Sequence, residues 1–382
     1  MPGIDVAAID AVLTEDFLPV VKDQLANETI LMKRLYGRKR PSGQTKKIAV
    51  RNGRNESVGP AADGAPLANA GKSRYANAFT HMKYQYARIE VTGPAQAATQ
   101  NKKALVEAIR SEVQNAKTDL GVLLNQQFFH GGYLSTAASA GTNSTTLTVK
   151  GNIHWFQQDK KIKIGSNTPV VITAVDSIAK QVTLAAAKSW SSGDVILAAD
   201  TNDDTTTFLT GLRQAVDDGT FLDTFQQIQR SANAFWKGGI LDKTSGGVSV
   251  DLTESAIRQA MTLAQKNGGN PTLALASFEM IDKYESLLAA DRRFVNPTKV
   301  DGSFDAISFR NVPIVGDKDA PDETVFFLDE STIDLYVMKD FGWSPTTPVS
   351  GKDAVESVLS IYMNLGLSNC MKNAVLRGVK FV

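Results

Sequence analysis

Cysteine is nearly missing from this 382-residue chain, where Cys370 stands alone. One thiol forms no internal disulfide, and with three scattered histidines, His81, His130 and His154, it makes no Cys-rich zinc cage. An uncharged apolar run of about 18 residues, the length a membrane-spanning helix needs, is missing too. The opening residues place Asp5, Asp10, Glu15 and Asp16 where a secretory signal needs a basic flank and an apolar stretch, so a soluble chain without such a signal is expected. There is almost no net charge. The 41 Lys and Arg face 40 Asp and Glu, which speaks against a wholly basic nucleic-acid coat and against an acidic solvating tail. Motifs of covalent and nucleotide chemistry are lacking as well. No Gly-x-Ser-x-Gly elbow occurs, and Gly71-Lys72-Ser73 has Pro66 where a phosphate loop needs its first glycine.

What is present is a large apolar inventory, 42% of residues, enough for two or three domains at roughly 100 to 200 residues each. The balanced charge hides an asymmetry. Residues 1–32 carry Lys22 against six acids, net −5, whereas 33–88 carry thirteen Lys and Arg against Glu56 and Asp63, net +11. Within the basic stretch, Lys47 to Arg51 alternates apolar and polar as a strand does, and Met82, Tyr84 and Tyr86 alternate with Lys83 and Gln85 in a second; together they predict a long hairpin. Between them, 53–77 is rich in Gly and Ala, and Val58, Leu67 and Tyr75 are its only large apolar residues. Such a segment cannot make a core of its own, and its length points to a surface on another chain.

Asn101 to His130 repeats Leu105, Ile109, Val113, Ala116, Leu120, Leu123 or Leu124, and Phe128 at three or four residues, which predicts one amphipathic helix ~45 Å long, stopped by Gly131-Gly132. After a small-residue linker, Ser135 to Asn143, five short strands are expected at 145–149, 161–164, 169–175, 181–184 and 194–197, a compact β module inserted into its host. Beyond it, Thr253 caps a helix to Lys266, Thr272 to Ala276 reads as a strand, and Phe278 to Leu288 as a second helix. Short strands follow at 312–315, 325–328, 358–363 and 374–381. Cys370, expected in a strand and with no identified histidine partner, reads as a buried apolar thiol. The pairs Asp203-Asp204 and Asp217-Asp218 read as solvated loop acids, and Asp317, Asp319, Asp322 and Glu323 match a calcium loop only in charge, since Pro321 intervenes and the central glycine is missing. The three histidines share no ligand spacing and read as ordinary surface or interface residues. No cofactor and no metal are called for.

This order of parts resembles the major capsid proteins of tailed bacteriophages, the Hong Kong 97 type. The likeness rests on Thr92-Gly93-Pro94 leaving the hairpin, the helix from Asn101 to His130, Phe309-Arg310-Asn311-Val312-Pro313-Ile314-Val315, Phe326-Phe327-Leu328-Asp329, and Tyr362-Met363-Asn364-Leu365. The resemblance implies an α+β fold with an N-terminal arm over 1–44, an extended-loop hairpin over 45–98, and a peripheral domain with the spine helix over 99–143. An inserted β domain over 144–200 and a continued peripheral domain over 201–245 come next, then an axial domain over 246–344 and terminal peripheral strands over 345–382. Function follows from the same resemblance: a shell subunit, not an enzyme, self-assembling into pentamers and hexamers of an icosahedral capsid around double-stranded DNA. It would be assembled in the bacterial host cytoplasm and located in the virion. Portal, a separate scaffolding protein and a decoration protein are the implied partners, with non-specific contacts to packaged DNA and no membrane. The short arm departs from relatives that begin with a scaffolding segment, and the inserted strands depart from the minimal fold.

Two other readings share parts of this pattern. An encapsulin-type compartment keeps the fold and changes the cargo, and a non-specific DNA-binding protein needs only the basic stretch. The residues themselves favour a third use of that stretch, a strap between subunits that finds its complement in the acidic remainder. Arg51, Arg54, Lys72, Arg74 and Tyr75 are its candidate contact residues.

Overall fold

A computed structural model describes residues 30–35, 40–41, 43–55, 57–63, 66, 69, 71–94, 102–245, 248–290, 298–300, 304–345 and 347–380. The acidic arm over 1–29 therefore lies outside the described residues, as do the side chains of Leu105 and Ile109. The described residues form two compact units, each assembled from separated stretches: those within 1–41, 82–212 and 335–365 in the first, and those within 42–81, 213–334 and 366–382 in the second.

Helix α1 (Ile30–Leu35) buries Ile30, Leu31, Met32 and Leu35. Strands β1 (Thr45–Gly53) and β2 (Arg74–His81) then pair antiparallel, and β3 (Lys83–Thr92) follows. Here the hairpin predicted from sequence is corrected. Pairing starts at Thr45↔His81, so β1 has no residue left to face Tyr84 or Tyr86. Strand β3 instead pairs with residues 354–363 of the strand Ala354–Leu367, from Lys83↔Met363 to Thr92↔Ala354. Period-2 alternation identifies a strand but not its partner.

Helix α2 (Lys102–His130) is the expected long one, about 43 Å at 1.5 Å per residue. Gly131 and Gly132 end it at φ +56° and +89°, a region open to glycine. Its middle shows the expected single buried stripe at Val113, Leu120 and Leu124, but its last turn is buried on every side. There the polar residues Asn125, Gln126 and Gln127 sit inside. Gln127 donates to Gln85 of β3 (3.1 Å) and accepts from Leu209 N (2.9 Å), which satisfies both ends of its amide. Close approach completes the contact: a methyl on Gly211 would stand 2.4 Å from Gly131 N and 2.8 Å from Gln127 O.

Strands β4 (Tyr133–Thr136), β5 (Gly141–Thr148), β6 (Lys161–Ile164), β7 (Val170–Asp176), β8 (Gln181–Trp190) and β9 (Val195–Ala199) form a sheet in the order β4-β9-β6-β7-β8-β5. Six strands therefore replace the five expected, because the stretch read as a linker contributes β4 and the start of β5. Ala138 N→Thr148 O (2.8 Å) and Lys150 N→Thr136 O (2.9 Å) join the two outer strands, so the sheet closes on itself around Leu147, Ile162, Ile164, Ile172, Val182, Leu184 and Ile196. Closure leaves no long edge for stray pairing. The chain enters and leaves side by side, with Ala198 N bonded to Gly132 O (2.8 Å).

In the second unit come α3 (Leu212–Ala215), the small hairpin β10 (Thr224–Phe225) and β11 (Ile228–Gln229), then β12 (Gly239–Asp242) and β13 (Val250–Asp251). Helix α4 (Glu254–Lys266) follows, with Thr253 Oγ1 accepting from Ala256 N as its cap. Then come β14 (Leu273–Ala276), α5 (Phe278–Ala290), β15 (Thr298–Val300), β16 (Phe304–Phe309), β17 (Val312–Gly316) and β18 (Thr324–Leu328). Strands β19 (Ile333–Trp343), β20 (Thr347–Pro348) and β21 (Ala354–Leu367) form a sheet that β3 extends. Strands β22 (Ala374–Arg377) and β23 (Val379–Lys380) end the described chain. The single terminal strand expected over 374–381 is broken at Gly378, whose φ is +71°. Among the described residues a seven-stranded mixed sheet runs β12-β22-β18-β14-β17-β16-β15. Its core joins Ala256, Ile257, Ala260, Met261 and Ala264 of α4 with Met280, Tyr284 and Leu288 of α5 against Ala274, Ala276, Phe327 and Leu376.

Substituting Gly211 by Ala should destabilise the protein by about 1 to 3 kcal/mol, the range for forcing a methyl into a packed site. Urea unfolding would measure it, and a change within experimental error would contradict the close packing of the end of α2.

Candidate interface hairpin

The β1–β2 pair buries few side chains: Val50 on β1, and Ala78 and Thr80 on β2. Pairing ends at Gly53↔Arg74, after a register shift beyond Arg51↔Tyr75. Of the described residues between 54 and 73, none is buried. Val58 is 83% exposed and Tyr75 62% exposed, large apolar surfaces that a folded subunit ordinarily covers.

The structure places the five candidate residues as follows. Register brings Arg51 opposite Tyr75, with Arg74 one step further toward the tip. Arg51 Nε donates to Gly53 O (3.2 Å), while Arg54 and Lys72 extend the basic run on the two sides of the tip and are exposed. Arg51, Arg74 and Tyr75 thus come together on the paired part, and Arg54 and Lys72 stand beyond it.

Within the hairpin's own unit lies a residue that sequence reasoning missed. Arg230 has no exposed surface. Its Nε donates to Trp236 O (3.2 Å), one terminal nitrogen to Leu222 O (2.9 Å), and the other to Gln214 O (2.8 Å) and Ala215 O (3.0 Å). Asp217 supplies the counter-charge at 3.5 Å, and both side chains are fully buried. The reading of Asp217 as a solvated loop acid is therefore corrected. Its Oδ2 accepts from Gly219 N, Phe221 N and Leu222 N at 3.0 to 3.1 Å, so the same carboxylate folds the loop and neutralises the guanidinium. Neighbouring Asp218 caps Thr220 instead. The guanidinium also lies 4.7 Å from the centroid of the Phe225 ring.

Cys370 is buried, as its sequence reading held, though it sits in the turn before β22 and not in a strand. Burial pushes its thiol up to about 12, only partly offset by Arg230 beside it, so the sulfur stays protonated and unreactive at neutral pH. Of the histidines, His130 is buried and its Nδ1 accepts from Gly132 N (2.7 Å), while His154 packs edge-on to Trp155. Asp203 pairs with Lys161 at 2.6 Å. Hydrogen bonds from the Thr206 N–H and hydroxyl hold the Asp204 carboxyl below its usual range. Among the described residues no group of three or more His, Cys, Asp or Glu could hold a metal ion, and no helix is long and apolar enough to cross a membrane.

Residues 8–380 match the model of the SU10 major capsid protein family. The chain belongs to that family. No curated protein matches it. Among solved structures it is similar to the capsid asymmetric unit of cyanophage A-1(L), with a TM-score of 0.59 at 13% identity over 93% of this chain and 92% of that one. It is also similar to the capsid of a native GTA particle, with a TM-score of 0.50 at 10% identity over 93% and 90%. The holo-SrpI encapsulin complex from Synechococcus elongatus gives a TM-score of 0.47 at 9% identity over 90% and 85%. The α+β capsid fold anticipated from the order of elements is thus the observed one, and the chain is a major capsid protein, a subunit of a tailed-phage shell.

In this capsid protein, Arg230→Ala should cost about 3 to 5 kcal/mol, because it strands a buried carboxylate. It should also open Cys370 to a maleimide that labels the native protein only after unfolding. Equal labelling of native and denatured protein would refute the buried, protonated thiol.

Proposed function

We propose that the β1–β2 hairpin is a strap, laid by each capsid subunit over an adjacent copy as icosahedral shells form around double-stranded DNA. The supporting observation is the exposed tip: a paired stem leads to residues 54–73, where no described side chain is buried and Val58 stands open to water. Residues 45–81 carry six Lys and Arg against Glu56 and Asp63, so the strap is basic while residues 89–382 are net −5. Attraction between such surfaces steers encounter and fixes register.

Arg51, Arg54, Lys72, Arg74 and Tyr75 are the contacts in this reading. Each exposed ion pair contributes only about 0.2 to 1 kcal/mol, but the contact recurs at every subunit of a closed shell, so small terms accumulate. The closed six-stranded sheet serves as an insertion carried by the peripheral part of the fold, and the seven-stranded sheet with α4 and α5 serves as the axial part. A separate scaffolding protein, a portal, non-specific contacts with packaged DNA, a decoration protein and assembly in the host cytoplasm complete the proposal. No catalytic role is assigned.

The double reversal Arg51→Glu and Arg54→Glu should abolish closed shells while leaving the circular dichroism and melting of the subunit nearly unchanged. Light scattering on a sizing column, followed by negative-stain microscopy, reads the outcome. Shells in normal yield would sink the strap.

A further inference from the structure

Two residues of the β10–β11 hairpin adopt a conformation their side chains disfavour. Phe225↔Ile228 closes a two-residue turn in which Gln226 has φ +49° and Gln227 φ +65°. A turn with both central residues at positive φ ordinarily takes Asn-Gly, because non-glycine side chains rarely enter that region. Such a conformation persists where the surroundings over-determine it. Here the surroundings are the root of the strap. Gln226 O accepts from Phe79 N (3.0 Å). The Gln226 carboxamide acts like an added strand residue: its nitrogen donates to Leu367 O (3.0 Å), and its oxygen accepts from Leu367 N (3.2 Å) and from the buried Thr80 hydroxyl (2.5 Å). Gln227 Nε2 lies 2.9 Å from His81 Nε2, and His81 Nδ1 lies 2.9 Å from Thr45 Oγ1. An amide nitrogen only donates, so the ring accepts at Nε2 and donates at Nδ1. One turn therefore touches Phe79, Thr80 and His81 of β2 directly and, through the ring, the first residue of β1.

We propose that Gln226 and Gln227 are positioning residues for shell assembly, a clamp that fixes the direction in which the strap leaves its own subunit. This rests on the strap reading above. Asn-Gly would serve the turn itself better, while its shorter side chains lose the bonds to Thr80, Leu367 and His81. The choice of two glutamines is accounted for by what they hold, since the turn alone does not favour them. The turn cannot drift away from the root, because Phe225 is fixed from behind by Trp236 Nε1 donating to Phe225 O (3.0 Å) and by the Arg230 guanidinium over its ring.

The double variant Gln226→Asn with Gln227→Gly separates the two roles, since it keeps a favoured turn and removes the clamp. In the full-length protein, hydrogen exchange of the amides at 78–81 should quicken by about tenfold, the factor expected from losing one or two neutral hydrogen bonds. Exchange in α4 and the seven-stranded sheet should stay as it was, and the yield of closed shells should fall. Thr80→Val, which fills the same volume, removes one of these bonds from the other side and should quicken exchange at the same amides. Unchanged exchange at 78–81 in both variants would overturn the clamp, and so would faster exchange with shells formed in normal yield. Neither of those results touches the strap reading, which instead fails if the charge-reversed hairpin assembles.

Discussion

A guanidinium shut away from water must find an acceptor for each of its N–H donors, and in this subunit Arg230 does so almost entirely with backbone. Carbonyls of Gln214, Ala215, Leu222 and Trp236 converge on it, and Asp217 balances its charge while binding three further amides. Between residues 214 and 236 little regular secondary structure could hold the chain by itself. This one buried pair substitutes for it, because loss of either partner leaves a charge or several polar groups without compensation. A loop stiffened in that way can present a strained turn to the base of a hairpin and keep it there. The route from buried electrostatics to the base of the hairpin is short: Arg230 and Trp236 fix Phe225, Phe225 precedes Gln226, and Gln226 holds Phe79 and Thr80.

The hairpin itself makes the opposite use of its residues. Its stem is ordered by eight cross-strand pairs, yet its tip keeps Val58 and the basic side chains in water. Such a surface costs a monomer solubility and gains nothing within one chain. The proposed strap gives that surface a use, since a capsid subunit meets many copies of itself. The closed six-stranded sheet shows the converse, since it hides its strand edges by pairing them with each other and so adds bulk without adding a site for uncontrolled strand exchange.

Much of this was legible in the sequence, for local physical reasons. The long helix, its Gly-Gly stop, the Thr253 cap and the short buried strands around 273–276, 312–316 and 324–328 each follow from periodicity or cap chemistry within a few residues. Failures came where partnership is non-local. Alternation at Tyr84 and Tyr86 announced a strand but could not say that its neighbour begins some 270 residues later at Ala354. The Ser135–Asn143 stretch looked like a linker because its strands carry small residues such as Thr136 and Gly141. Asp217 looked like any loop acid, because its burial depends on Arg230 thirteen positions on, and two isolated charges carry no motif. Of the candidate contact residues, the basic run was visible as charge, but its assembly around Tyr75 needed the register. The clamp had no sequence signal at all beyond the oddity of Gln-Gln at a two-residue turn.

The central claim is that the hairpin reaches a neighbouring copy, and a cryo-EM reconstruction of shells assembled from the purified protein tests it most directly. The account predicts density for residues 45–81 lying over the adjacent subunit, with Arg51, Arg54, Lys72, Arg74 and Tyr75 in contact with it. Density for the tip folded onto its own subunit, or turned inward away from every neighbour, would contradict it.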